Sequence, residues 1–335
     1  MLRQFIIAIS MLTILASSCT KTTKSSNNEN SDKSTETTLV SHPAFSADSA
    51  YFFIQKQVDF GPRVPNTPQH TACADYLEQQ LKNFGAEVMV QKADVRAFDG
   101  TMLKAKNIIG SYNPEAETRI LLFAHWDTRP WADHDSNPEN YKKPVLGAND
   151  GGSGVGVLLE MARIFNIQKP TVGVDIIFFD AEDYGAPNDM VTQETSDSWC
   201  LGSQYWSANK HKAGYRAKYG ILLDMVGAKG AKFYREQISD MYAKYLVDKV
   251  WQKAAELGFS NYFINQTGGA ITDDHLYVNQ IGGIPSIDII QQEKNSDTGF
   301  GFYWHTVNDT MENIDKSTLN AVGTTVLSIV YNEIP

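Results

Sequence analysis

The chain has 335 residues, 42% of them hydrophobic and 20% charged, which is enough apolar material for a sizeable core and excludes a disordered chain. Its 29 basic residues against 39 acidic ones give a formal charge of −10, spread along the chain, which argues against nucleic acid or an anionic membrane surface as partner. A small, neutral or cationic partner fits this balance better.

The first predicted element is a secretory one. After Arg3 an apolar run from Phe5 to Leu15 leads to Ala16, Ser17 and Ser18 just before Cys19, the pattern of a signal h-region with its cleavage site. The run is too short for a permanent bilayer span. The Ala-Ser-Ser-Cys end resembles the bacterial lipobox, which implies a signal peptide over residues 1–19, acylation of Cys19, and a lipoprotein of the bacterial cell envelope facing the periplasm. Plain cleavage near Cys19 would instead leave a soluble product. Thr20, with no Asp after the cysteine, points to the outer membrane by analogy with Gram-negative sorting. Residues 20–44 are rich in Ser, Thr, Asn and Lys and cannot repay the entropy of ordering, so a flexible tether is expected there and a single folded domain over 45–335. Setting Cys19 aside leaves Cys73 and Cys200, which form either one disulfide or two buried thiols.

Within the domain, Ser46 to Phe60 reads as a helix carrying Tyr51, Phe53, Ile54 and Val58 and stopping at Gly61-Pro62. Thr67-Pro68 opens a second helix whose stripe is Ala72, Leu77, Leu81 and Phe84, closed by Gly85. The period then changes to that of strands: Val88 to Val95, Asn107 to Gly110, Arg119 to Ala124, Val172 to Phe179 and Tyr219 to Leu223, with helical stretches such as Val155 to Phe165 between them. Strands alternating with helices predict an α/β/α sandwich with a mostly parallel central sheet. In such sheets functional groups gather where strands end at their carboxyl edge.

Those endings are polar. They comprise His125-Trp126-Asp127, Asp150 in the Gly-rich turn before the helix, Asp180-Ala181-Glu182-Asp183, Asp224, Asp273-Asp274-His275 and Trp304-His305. Gathering several carboxylates at one buried edge is unfavourable unless a cation compensates, and oxygen ligands with imidazole suit zinc. Gly151, Gly152 and Gly154 are followed by no Gly-Lys-Ser/Thr, which argues against a nucleotide site, and neither Ser153 nor Ser203 sits in a Gly-x-Ser-x-Gly elbow.

This series resembles the co-catalytic zinc aminopeptidases, and the resemblance covers nearly the whole domain. It implies a zinc pair bridged by Asp150, one ion also held by His125 and Asp224, the other by Asp183 and His305, with Glu182 as general base. The segments Phe178 to Asp183, Leu222 to Gly227, Asp273-Asp274-His275 and Trp304-His305-Thr306 resemble the glutaminyl cyclases more closely. That resemblance implies a single Zn²⁺ on Asp150, Asp183 and His305, and cyclisation of the N-terminal glutamine of a peptide or protein to pyroglutamate with release of ammonia. Glu182 would shuttle the proton, and Asp224 and Asp273 would form a catalytic carboxyl pair. Trp304 and Phe300 would line the substrate pocket, with Phe302 and Tyr303 as further candidates, while His125 and Asp127 would hold a second metal or serve structurally. Three departures stand out. Asp183 is glutamate in the animal enzymes, Asp288 is histidine there, and the insertion Pro130 to Pro144 is absent from them. Two other readings share these residues: a di-zinc aminopeptidase, and an inactive peptide-binding lipoprotein.

Overall fold

The computed structural model describes residues 41–335, so the expected signal peptide, Cys19 and most of the expected tether lie outside the described residues. Ser46 accepts the Ser49 N–H and caps α1 (Ala47–Val58), and Thr67 accepts the His70 N–H and caps α2 (Pro68–Asn83). The buried stripe of α2 is His70, Cys73, Ala74, Leu77 and Leu81, while Ala72 is exposed. Leu77 and Leu81 are buried as expected and Phe84 packs against the core; only Ala72 departs, and buried His70 adds a turn to the stripe through Asp180, 2.8 Å from its Nε2.

The strands are β1 (Glu87–Arg96), β2 (Met102–Tyr112), β3 (Arg119–His125), β4 (Gly173–Phe179), β5 (Gly220–Asp224), β6 (Phe233–Arg235), β7 (Phe263–Thr267) and β8 (Ser286–Ile290). The main sheet has the order β1-β2-β4-β3-β5-β8, and β4, β3, β5 and β8 run parallel. β1 and β2 form an antiparallel edge. β2 starts five residues before the apolar run that announces it, because its first half alternates buried Leu103 and Ala105 with exposed Met102 and Lys104 against β1. β6 and β7 make a separate parallel ribbon.

The remaining helices are α3 (Ser153–Ile167), α4 (Leu201–Ala208), α5 (Gln237–Glu256), α6 (Asp274–Gln280) and α7 (Lys316–Tyr331). The central strands divide their side chains by strict alternation. Ile120, Leu122 and Ala124 of β3 join the core under α1, α2, α3, α5 and α7, while Leu121 and Phe123 join the core that contains Trp206 of α4 and Val278 of α6. Both faces are therefore covered, which explains why these strands read as continuous apolar runs. The expected three-layer arrangement is the one observed. Among the described residues no helix is long and apolar enough to cross a membrane.

Candidate active site

The candidate ligands and acids of the polar series lie at the ends of the parallel strands, on the segments that follow them and on the loops beside them. His125 ends β3, Glu182 and Asp183 follow β4, Asp224 ends β5, Asp273 caps α6, and His305 lies on the loop after β8. Asp150 sits in the turn before α3. Gly151 takes φ +81° in that turn, and a Cβ there would meet the Asp127 carbonyl at 2.4 Å. Gly154 lets α3 close on β5, since a Cβ would come within 2.0 Å of the Leu223 carbonyl oxygen. Ala181, Cys200, Met225 and His305 all take positive φ, between 47° and 59°, around the same site. Left-handed backbone at non-glycine residues costs of order 1–3 kcal/mol each and persists only where the surroundings over-determine it.

Two buried carboxylates that belong to no cation-capable group hold the backbone of those that do. Asp127 Oδ1 and Oδ2 accept the N–H groups of Glu182 (3.0 Å) and Asp183 (3.2 Å). Asp309 does the same for Asn149 (2.9 Å) and Asp150 (3.0 Å). Asp127, expected as a second-metal or structural residue, takes the structural place, and Asp309 escaped the sequence reading altogether. Its only signal was an acid four residues after His305. The two serines weighed as nucleophiles are structural as well. Ser153 Oγ donates to the Asn149 carbonyl at 2.6 Å, and Ser203 Oγ donates to the Cys200 carbonyl at 3.1 Å.

The clamps present two donor sets that share Asp150. Asp150, Asp183 and His305 bring one ligand atom each within 4.8 Å of one another, as do His125, Asp150 and Asp224. His305 Nε2 lies 3.2 Å from Asp183 Oδ1 and 3.6 Å from Asp150 Oδ2. Asp183 Oδ1 is buried and receives no hydrogen bond. Two carboxylates and an imidazole facing one another at a buried point fit zinc. In the second set His125 Nε2 lies 3.0 Å from Asp150 and 3.1 Å from Asp224. Burial opposes charge on His125, but Asp127, Asp150 and Asp224 outweigh it and raise its pKa well above the ordinary value. Burial, with Arg129, His134 and His125 nearby, holds His305 well below its ordinary value and so in the neutral form that ligates metal.

Above these sets opens a cavity of about 250 Å³ lined by Glu182, Trp199, Met225, Asp273, Ile290, Phe300 and Trp304, together with Asp150, Asp224 and His305. Trp304 stacks on His305 at 3.7 Å between ring centres and meets Phe300 at 4.7 Å. Trp199, not anticipated from sequence, lies parallel to the His305 ring at 5.9 Å. Phe302 and Tyr303 do not line the cavity. Phe302 is 79% exposed, and Tyr303 is buried with its hydroxyl donating to Gln291 Oε1 at 2.7 Å.

The Pro130 to Pro144 insertion hooks onto the loop that carries His305. The His134 N–H donates to the His305 carbonyl at 3.2 Å, and Asp135 Oδ2 accepts the Val307 N–H at 3.2 Å. Buried Arg129 anchors its start, bonding Asp133 at 2.6 Å and donating to the Asp183 carbonyl at 3.2 Å.

Several buried titratable groups crowd together here. Burial raises Glu182 well above the carboxylate range, and Asp273, Asp183 and Asp274 add to it. Burial and the charge of Asp224 push Asp273 up to about 7. The Cys200 thiol donates to Glu182 Oε1 at 3.1 Å, and its N–H donates to the Glu182 carbonyl at 3.0 Å. Cys73 and Cys200 are both free and buried, so the alternative of a disulfide does not occur. Asp288 is fully buried beneath this group, and neither of its carboxyl oxygens has a hydrogen-bond partner.

A carboxylate-rich zinc-type centre at the carboxyl edge of a covered parallel sheet defines a metallohydrolase-like α/β enzyme. Residues 107–330 match peptidase family M28, and the chain belongs to that family. Among solved structures, a Zn-dependent exopeptidase from Parabacteroides distasonis is 57% identical, and a Bacteroides thetaiotaomicron glutaminyl cyclase bound to N-acetylhistamine is 55% identical. Each gives a TM-score of 0.86 and covers 88% of this chain and 100% of the other. Among curated proteins, aminopeptidase YwaD of Bacillus subtilis is 27% identical over 269 residues, 76% of this chain. The chain spans 50% of that aminopeptidase's own length.

Proposed function

We propose that the chain is a glutaminyl-peptide cyclotransferase, a zinc-dependent enzyme acting on peptides or proteins that begin with glutamine. The observation that carries this reading is the Asp224 and Asp273 pair, which shares a small aromatic-walled cavity with Glu182 and stands outside the Asp150, Asp183, His305 donor set. The likeness to the Bacteroides thetaiotaomicron glutaminyl cyclase over the full length of that chain supports it.

In this reaction the substrate's α-amine attacks its own γ-amide carbonyl carbon. A new C–N bond closes the five-membered lactam, the old amide C–N bond breaks, and ammonia leaves. Asp150, Asp183 and His305 would hold one Zn²⁺, which would supply Lewis-acid polarisation of that carbonyl. Glu182, kept basic by burial and oriented by Cys200, takes the proton from the attacking amine and delivers it to the departing nitrogen. Asp273, protonated near neutrality beside charged Asp224, offers a donor and an acceptor that hold the leaving amide in line. Trp304 and Phe300 wall the cavity and exclude water, which would otherwise compete as nucleophile.

The second reading, a di-zinc aminopeptidase, is favoured by the His125, Asp150, Asp224 set and by the likeness to exopeptidases. Ammonia release from Gln-peptides, run beside Leu- and Ala-peptides on the zinc-loaded chain, separates the two. Ammonia from Gln-peptides with no free amino acid supports the cyclotransferase; free amino acids from any of them overturn it. We further propose, on the lipobox resemblance of residues 16–19, that Cys19 is acylated and that the enzyme faces the periplasm from the outer membrane. Metabolic labelling with a radiolabelled fatty acid, lost in Cys19→Ser, tests the anchor.

A further inference from the structure

We infer that Glu182, Cys200 and Asp273 form a separate inhibitory site for a thiophilic divalent cation such as Cd²⁺ or excess Zn²⁺. All three are buried, and one ligand atom of each lies within 4.8 Å of the others. Among the described residues, two further groups could hold a cation beside the Asp150, Asp183, His305 set, but each borrows Asp150 or His305 from it. The Glu182, Cys200, Asp273 group shares no residue with that set, so both can be filled at once. A second observation points to a ligand there. Asp273 is 3% exposed, its Oδ1 is spent on the Asp274 N–H, and its Oδ2 has no hydrogen-bond partner. Buried carboxylate oxygens left this way are costly, and a cation relieves the cost directly.

The donor set also selects the ion. A thiolate with two carboxylates suits zinc or cadmium and disfavours magnesium or calcium, which take oxygen alone. Glu182 and Asp273 line the cavity, so the ion enters by the route the substrate uses. Cys200 is fully buried and reaches the cavity wall through Glu182, with its Sγ on Glu182 Oε1. Binding replaces the S–H bond with a sulfur–metal bond, and the thiol proton passes to solvent together with any proton held on Glu182 and Asp273. Two negative carboxylates and one thiolate then face a divalent charge. Glu182 is tied up as a ligand and cannot carry a proton, so turnover stops. This last step rests on the proposed role of Glu182; the binding itself does not.

The test is a Cd²⁺ titration of the zinc-loaded full chain, reading bound cadmium, the ultraviolet thiolate-to-cadmium absorption band and ammonia release from a Gln-peptide. One extra Cd²⁺ per chain is expected, with a band that grows as turnover falls. Cys200→Ser should lose the band and bind that extra ion about tenfold more weakly or worse, while its zinc content stays at the wild-type value. Asp273→Asn, read by band and ion count alone, should weaken the same site. A band that persists in Cys200→Ser, or no band in the wild type, overturns the site. A Cys200-dependent band with unchanged turnover keeps the site and overturns the assignment of Glu182 as proton carrier.

Discussion

The Asp309 carboxylate accepts the backbone N–H of Asp150 at 3.0 Å across 159 residues of chain, and its other oxygen accepts that of Asn149. It thereby fixes the turn that presents the ligand shared by both donor sets. Asp309→Ala should weaken zinc binding about 10- to 100-fold, the usual cost of removing an outer partner of a metal ligand. Equilibrium dialysis against buffered zinc measures it, and unchanged affinity would show that Gly151 and the turn suffice alone.

Glu182 and His305 separate proton transfer from metal binding. Glu182→Gln should lower turnover of Gln-peptides by about 10²- to 10⁴-fold with zinc content preserved. His305→Ala should lose the metal as well, because it removes the only imidazole of the Asp150, Asp183, His305 set. Metal analysis beside steady-state rates distinguishes the two, and a near-normal rate in Glu182→Gln would remove it from the mechanism.

Glu236 contributes to the acid limb of stability. Burial alone would raise its pKa, but the hydrogen bond from His275 and those from the Ile238 N–H and Ser239 outweigh it and bring the group down to about 2. In the unfolded chain a glutamate protonates near about 4.3. Between these values the unfolded state binds more protons, so the stabilisation is complete above about pH 4.3 and drains away as pH falls towards 2. Glu236→Gln should be less stable at neutral pH and show a flatter loss across that window, read from urea midpoints at each pH.

Gly154 tests the packing of α3 on β5. An added Cβ would come within 2.0 Å of the Leu223 carbonyl oxygen and 2.9 Å of Ala124 Cβ, neither of which can yield without moving a central strand. Gly154→Ala should cost about 1–3 kcal/mol or more, as overpacking of a well-filled core does. Wild-type stability in the variant would mean that β5 shifts freely.

The two internal thiols should react with a bulky organic thiol reagent only after unfolding. Both are buried; Cys73 is pushed up to about 12 and Cys200 well above its ordinary value, chiefly by burial. In denaturant without reductant both should react with a thiol reagent. A missing pair would reveal a disulfide.

The sequence by itself determined the layers and most of the site. Apolar strands such as β3 and β4 must be covered on both faces, and a strand that ends in His125 or in Glu182-Asp183 leaves those groups at the sheet edge, because both are local consequences of chain order. The starts of α1 and α2 were legible for the same reason, since Ser46 and Thr67 cap within three residues of themselves. Tertiary structure alone decided the rest. Asp309 reaches Asp150 across 159 residues and Asp127 reaches Asp183 across 56, so no local pattern could reveal either clamp. Cys200 stood out only as a possible disulfide partner; its place against Glu182 follows from a left-handed backbone at φ 59° that a cysteine adopts only when its neighbours compel it. Trp199 meets the His305 ring, Arg129 meets the Asp183 carbonyl and the insertion meets the His305 loop only through contacts between distant segments. Local sequence sets which groups arrive at the edge, whereas contacts between distant segments set which of them become ligands, which become proton carriers, and which hold the others still.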